Sequence, residues 1–325
     1  MNRKVILFTL IYFVLSFCNF LTAKADTILF PVIATNYPNV TTIVSVINRG
    51  GGTTSSTHLR YIYSYKDSYV GSLPNYSGGC SVSNVVMPTW VPDVVSFDVS
   101  GAYNGGWALF NDPDSYGGSF ALGLSGPHRA YLLVTNSDVF GDRVNVGYTW
   151  SLGGEAILMD IFAGAAWGYK AVNDSNGEDF SFYLGGVINV METGDSKRFG
   201  FFPPSEWTTK FFVTPIGNNM DAIDLNSTIR IVGYGGATTG SITDRGDTTY
   251  NFNVSQFVNC TAAVNLSDMM DATAWANIYY TGGWGWFYNV SGSPAIVYKL
   301  EYVLNNPTYG GTNNNAYLLS TADGP

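Results

Sequence analysis

Apolar residues recur at every second position over many short stretches of this chain, the spacing of a strand with one buried face. Residues 41–46 alternate weakly. Leu59-Arg60-Tyr61-Ile62-Tyr63-Ser64-Tyr65 alternates well, and Val94-Val95-Ser96-Phe97-Asp98-Val99 keeps a period of two. Runs at 131–134, 146–150, 156–161, 167–172 and 180–184 predict further strands between turns rich in Gly and Asn. Runs at 211–214, 228–232, 250–254, 276–280, 286–290 and 296–304 predict a second set. Residues 152–173, two apolar stretches around Gly164, predict a hairpin. One or two turns of helix fit only at 265–276, where Leu266, Met269, Met270 and Ala274 fall on one face. The expected fold class is all-β.

Comparing the chain with itself sharpens that expectation. Tyr103-Asn104-Gly105-Gly106-Trp107-Ala108-Leu109-Phe110-Asn111 matches Tyr280-Thr281-Gly282-Gly283-Trp284-Gly285-Trp286-Phe287. Ala130-Tyr131-Leu132-Leu133 follows the first copy and Ala316-Tyr317-Leu318-Leu319 the second, while Cys80 and Cys260 precede them in turn. Phe30-Pro31-Val32 and Phe212-Val213-Thr214-Pro215 stand at similar distances further back. The order predicts two tandem immunoglobulin-like or jelly-roll β-sandwich units related by an internal repeat. The first spans 26–205, with an appended hairpin region at about 137–205; the second spans 206–325, the boundary falling near Pro203-Pro204.

The first 25 residues read as an address rather than as structure. Asn2-Arg3-Lys4 is a positive start, 5–21 is apolar, and Ala23-Lys24-Ala25 has the small residues of a cleavage site. A secretory signal peptide at 1–25 is expected, with an extracellular or cell-surface destination and the periplasm as the alternative. Cleavage would take the 15 basic residues to 12 against 24 acidic ones, a net charge of -12. Such a chain has no basic excess to offer nucleic acid or an anionic membrane surface. No later stretch is long and apolar enough to span a bilayer.

Export makes a disulfide the first expectation for the two remaining cysteines. Cys80 and Cys260 occupy matching positions of the repeat, however, and matching positions in tandem units lie far apart, whereas a disulfide needs Cα atoms within about 7 Å. A Cys80–Cys260 bridge, two buried thiols and an intermolecular bond all stay open.

At Phe30-Pro31-Val32, the Gly-Gly-Trp segments, Gly154-Glu155-Ala156 and Ala166-Trp167-Gly168-Tyr169, the chain resembles a loose group of exported, uncharacterised all-β surface proteins of Gram-negative bacteria. The resemblance implies a β-sandwich fold and a role outside the cytoplasm, and carries no site residue with it.

No catalytic signature stands out. His58 and His128, the only histidines, lie in no zinc-ligand spacing, and neither belongs to a hydrolase motif. No cofactor is expected. Asp174, Asn176 and Asp179 gather oxygen ligands in one loop and form a weak calcium candidate, short of an EF-hand loop; no other metal site is indicated. Tyr280, Trp284 and Trp286 form a candidate platform for stacking on a sugar ring, although a motif present in both units also suits the sandwich core.

The extended apolar segment Ile28, Leu29, Phe30, Pro31, Val32, Ile33 follows the cleavage site directly. It is a candidate donor strand, able to add to the open sheet edge of a neighbouring copy and so build a head-to-tail filament, or else the first strand of its own sandwich. The leading expectation is therefore an extracellular structural or adhesive protein that assembles with copies of itself. The alternative is a carbohydrate-binding surface protein whose partner is a surface polysaccharide.

Overall fold

The computed structural model describes residues 27–50, 57–110, 118–123, 125–144, 151–174, 190–216, 225–233, 239–306, 308 and 311–320. The segment expected to be a signal peptide, the strands expected at 146–150 and 180–184, and the calcium candidates Asn176 and Asp179 lie outside the described residues. Nearly all regular structure is antiparallel strand, as the two-residue periods require.

The N-terminal half contributes β1 (Thr27–Asn36), β2 (Val40–Asn48), β3 (His58–Asp67), β4 (Tyr69–Val70), β5 (Leu73–Pro74), β6 (Ser81–Pro88), β7 (Asp93–Asp98), β8 (Pro127–Ser137), β9 (Leu152–Asp160), β10 (Ala165–Lys170) and β11 (Val172–Asp174). All but the small β4–β5 ladder join one sheet of order β10-β9-β2-β1-β8-β3-β6, with β7 added to β2 and β11 to β1. β1 and β2 pair only at Asn36 and Val40. Beyond that point β1 lies between β8 and β11, and β2 between β9 and β7, so the sheet doubles back at the turn into two layers. The layers pack closely: a Cβ added to Gly154 of β9 would sit 2.6 Å from Cζ of Phe30 in β1.

The donor-strand expectation is corrected here. Ile28, Leu29, Phe30, Val32 and Ile33 are all buried in their own sheet, and β1 is hydrogen-bonded along both edges. Burying five such side chains is worth on the order of 10 kcal/mol, comparable with the whole stability of a typical domain.

The C-terminal half contributes β12 (Ser196–Phe201), β13 (Thr208–Pro215), β14 (Asn226–Val232), β15 (Gly240–Asp244), β16 (Thr249–Phe252), β17 (Gln256–Asn259), β18 (Ala262–Asn265), a 3₁₀ turn (Leu266–Met269), α1 (Ala272–Ile278), β19 (Gly283–Gly292), β20 (Ala295–Asn306) and β21 (Gly311–Leu318). Here β18-β13-β20-β21 form an inner sheet, while β16-β15-β19-β14-β17, with β12 on β19, form an outer sheet. Phe199, Phe211, Val213, Ile229, Ile231, Phe287 and Val297 fill the space between them. The short helix falls where its apolar spacing placed it, and the Asp271 carboxylate caps α1 by accepting from the Ala274 amide at 2.8 Å. It also takes in 276–278, the start of a stretch whose pattern predicted a strand.

Two further expectations change. Ser196–Phe201 pairs residue for residue with β19, so this stretch belongs to the C-terminal half and not to the hairpin region of the first. The matching sequence segments also occupy unlike elements. Gly105 and Gly106 adopt φ of 61° and 78° inside a 3₁₀ turn; of their counterparts, Gly282 shares the positive φ at 67°, whereas Gly283 opens strand β19. Ala130-Tyr131-Leu132-Leu133 runs through β8 with a neighbour on each edge, whereas Ala316-Tyr317-Leu318 lies in β21, which pairs with β20 alone. The echo records similar local composition, without a repeated topology at these segments.

Candidate functional site

Each face of the inner sheet has its own partner. Along β13, Phe211 and Val213 point toward the outer sheet, and the alternate residues Lys210, Phe212 and Thr214 point toward the N-terminal half. Tyr298, Leu300 and Tyr302 of β20 share that second face. The halves meet there through packed aromatic rings. Trp167 of β10 lies 5.8 Å from Phe212 and 6.2 Å from Tyr298 between ring centroids, and Tyr169 lies 5.3 Å from Tyr298. The Tyr169 hydroxyl donates to the Val32 carbonyl at 2.6 Å, and Thr214 Oγ1 donates to the Pro31 carbonyl at 2.8 Å.

A covalent and polar staple holds the same junction. Cys80 and Cys260 form a disulfide with Cα atoms 5.2 Å apart, which resolves the three alternatives left by the sequence. The positions are not equivalent in space, because Cys80 precedes β6 in the N-terminal half and Cys260 joins β17 to β18. Beside it the buried Lys66 ammonium donates to the carbonyls of Tyr76 at 2.8 Å, Gly78 at 3.3 Å and Asn259 at 2.7 Å. Burial pushes its pKa down to about 7. The Tyr76 hydroxyl reaches across to Asp268 at 2.5 Å.

Where the rings stop, the junction opens into a cavity of about 240 Å³. The N-terminal half contributes Asn36, Tyr69, Arg129, Asp160 and Trp167 to its walls, and the inner sheet contributes Lys210, Tyr302 and Asn314. Its mouth lies where the β1–β2 and β9–β10 turns meet, held by the Ile161 amide donating to the Asn39 carbonyl at 2.7 Å. Exposed Tyr37, Phe162, Val70 and Leu73 stand at this end of the sheet.

The electrostatics of the walls are uneven. Among the described residues, neither the Arg129 nor the Lys210 side chain forms a hydrogen bond or an ion pair, and the buried Trp167 Nε1 has no acceptor. Lys210 Nζ stands 5.9 Å from the centroid of the Tyr302 ring. Burial pulls the Arg129 guanidinium below its ordinary pKa, an effect opposed by Tyr69 and Tyr302. Burial first, and the Arg129 charge second, lower Lys210, while Asp268 opposes them. Among the described residues Asp160 is the one carboxylate lining the cavity, and it already accepts from the Ala163 amide at 2.9 Å. The cavity is therefore rich in unused donors.

The expected glycan platform lies elsewhere and is divided. Trp284 and Trp286 alternate with the buried Gly285 and Phe287 along β19, so they face away from the core and are half-buried, with Arg198 and Gly200 of β12 as cross-strand neighbours. Tyr280 is exposed in the turn after α1 and packs edge-on against Tyr279. Positive-φ Gly282 separates it from the strand. The motif thus supplies Phe287 to the core and two tryptophans to the outside. Asp174 ends β11, and among the described residues no three His, Cys, Asp or Glu converge.

Neither the cavity nor its cations were anticipated from the pattern. The available signal was a charged residue placed directly before an apolar strand run, as Arg129 precedes Ala130 and Lys210 precedes Phe211. Comparison with protein-family models, with curated proteins and with solved structures finds no match to this chain.

Proposed function

We propose that this is an exported surface protein that binds carbohydrate in the cavity between its two halves. The observation that carries this reading is the composition of one open cavity: the Trp167 and Tyr302 rings stand with Asn36, Asn314 and Asp160. Aromatic faces match the apolar face of a pyranose, and fixed polar groups around them select its hydroxyls. At about 240 Å³ the cavity falls below the roughly 300–1,000 Å³ of sites for drug-sized ligands, which suits a single sugar unit or the end of a chain. The test is a glycan array on the mature chain, followed by calorimetry. Binding of a saccharide class that Tyr302→Ala weakens by about tenfold or more supports the cavity. Binding that ignores this variant and disappears in Trp284→Ala moves the site to the outer sheet.

Self-association remains a second reading, on different grounds from a free donor strand. Exposed Tyr37 and Phe162 mark one end of the N-terminal sheet and exposed Trp90 and Phe140 the other, an arrangement suited to end-to-end contact. Light scattering on the mature chain distinguishes polymer from monomer.

A further inference from the structure

Building on the carbohydrate reading, we infer that the saccharide bound in this cavity is acidic, its carboxylate held by Arg129 and Lys210. Two facts point the same way. The chain carries only 15 Lys and Arg against 24 Asp and Glu, so two cations lining one small cavity run against its overall charge. Those two cations have no acid partner among the described residues, although the fold provides one for a buried lysine elsewhere, at Lys299 and Glu301.

A buried donor left unpaired costs about 1–3 kcal/mol, and like charges brought close in a poorly solvated cavity repel. An anion relieves both at once. Arg129 offers the planar fork that matches a carboxylate, and Lys210 adds a point charge from the opposite wall. Asp160 would repel an anion placed next to it, which fixes the orientation. The acid group lies toward Arg129 and Lys210, and the ring hydroxyls donate to Asp160 and meet Asn36 and Asn314. A neutral sugar would leave the cations unanswered, and a small inorganic anion would leave the rings and amides unused.

The experiment titrates the disulfide-intact mature chain by calorimetry with three probes: a uronic acid disaccharide, its neutral hexose counterpart, and inorganic phosphate. The variants are Arg129→Gln, Lys210→Gln and Tyr302→Ala. Neither cation makes a side-chain hydrogen bond among the described residues, so both variants should fold, which melting curves verify. Support requires that the acidic disaccharide bind at least about tenfold more tightly than the neutral one. Arg129→Gln and Lys210→Gln must each remove most of that preference, and added salt must weaken the acidic ligand alone. Equal binding of the acidic and neutral sugars overturns the inference and leaves the carbohydrate reading standing. Binding of phosphate alone, or of no probe, overturns both.

Discussion

Three lysines, two of them buried and one half-buried, show how this molecule treats a charge drawn into its fold. Lys299 of β20 faces the outer sheet and is 1% exposed, and its ammonium meets Glu301 two residues along the same strand. Glu301 is itself held by the Phe202 amide at 2.8 Å and by Thr209 Oγ1 at 3.2 Å. Lys66, at the disulfide, has no carboxylate but sits among three carbonyls. Lys210 lies on β13, paired with the strand that carries Lys299, and on the opposite face of the sheet; it has neither kind of partner among the described residues. The first two sites are complete as folded. The third is complete only with something added, which is why Lys210 marks a site and Lys299 marks structure.

The largest effect should come from breaking the complete pair. Glu301→Gln leaves Lys299 charged in a space with no water to solvate it, and removing one member of a buried pair costs about 3–5 kcal/mol. Urea denaturation of the mature chain should show the midpoint falling accordingly. An unchanged midpoint would mean that the pair is solvated, and would remove the contrast with Lys210.

A smaller effect separates Lys66 from the other two. Its folded pKa is about 7 and its ordinary value 10.5, because burial disfavours the charged form. Between these values the unfolded chain holds a proton that the folded chain has released, so stability rises with pH across the window, and this group adds no slope below it. From pH 7 to pH 8 the gain is about 1 kcal/mol. Denaturation of the native chain and of Lys66→Met at both pH values isolates that share. A slope that is the same in both would show that the three carbonyls keep the ammonium charged.

Much of the strand pattern was legible, because a half-buried strand repeats every two residues whatever lies beside it. What failed was everything that depends on a partner distant in sequence. Gly-Gly-Trp reads alike at 105–107 and 282–284, yet glycine serves equally in a left-handed turn and in a crowded strand. The neighbours decide: Gly106 packs against Ala121, and Gly283 against the Thr243 carbonyl. The polar-looking Lys197-Arg198 stretch gave no hint of pairing with β19 some 90 residues on. The residues at 276–280 include β-favouring Ile and Tyr, but the Asp271 cap had already committed 276–278 to helix. The cavity was least legible of all, since its walls come from eight separate strands and the β4 segment, and no local period records which of them meet.

The smallest effect is also the sharpest. Lys210→Gln removes a charge that is opposed by burial and by Arg129, and it breaks no hydrogen bond or ion pair among the described residues. The amide keeps most of the side-chain stem along the cavity wall. Stability should therefore stay within about 0.5 kcal/mol of the native chain, the range of a substitution that breaks no structural contact, and a slight gain is consistent with relief of repulsion. The comparison with Glu301→Gln gives the measurement its force: both remove one charge from groups on paired strands of the same sheet, and only the second strands a partner. Should Lys210→Gln cost as much as Glu301→Gln, Lys210 would be a structural cation, and the open cavity would lose its claim to an anionic ligand.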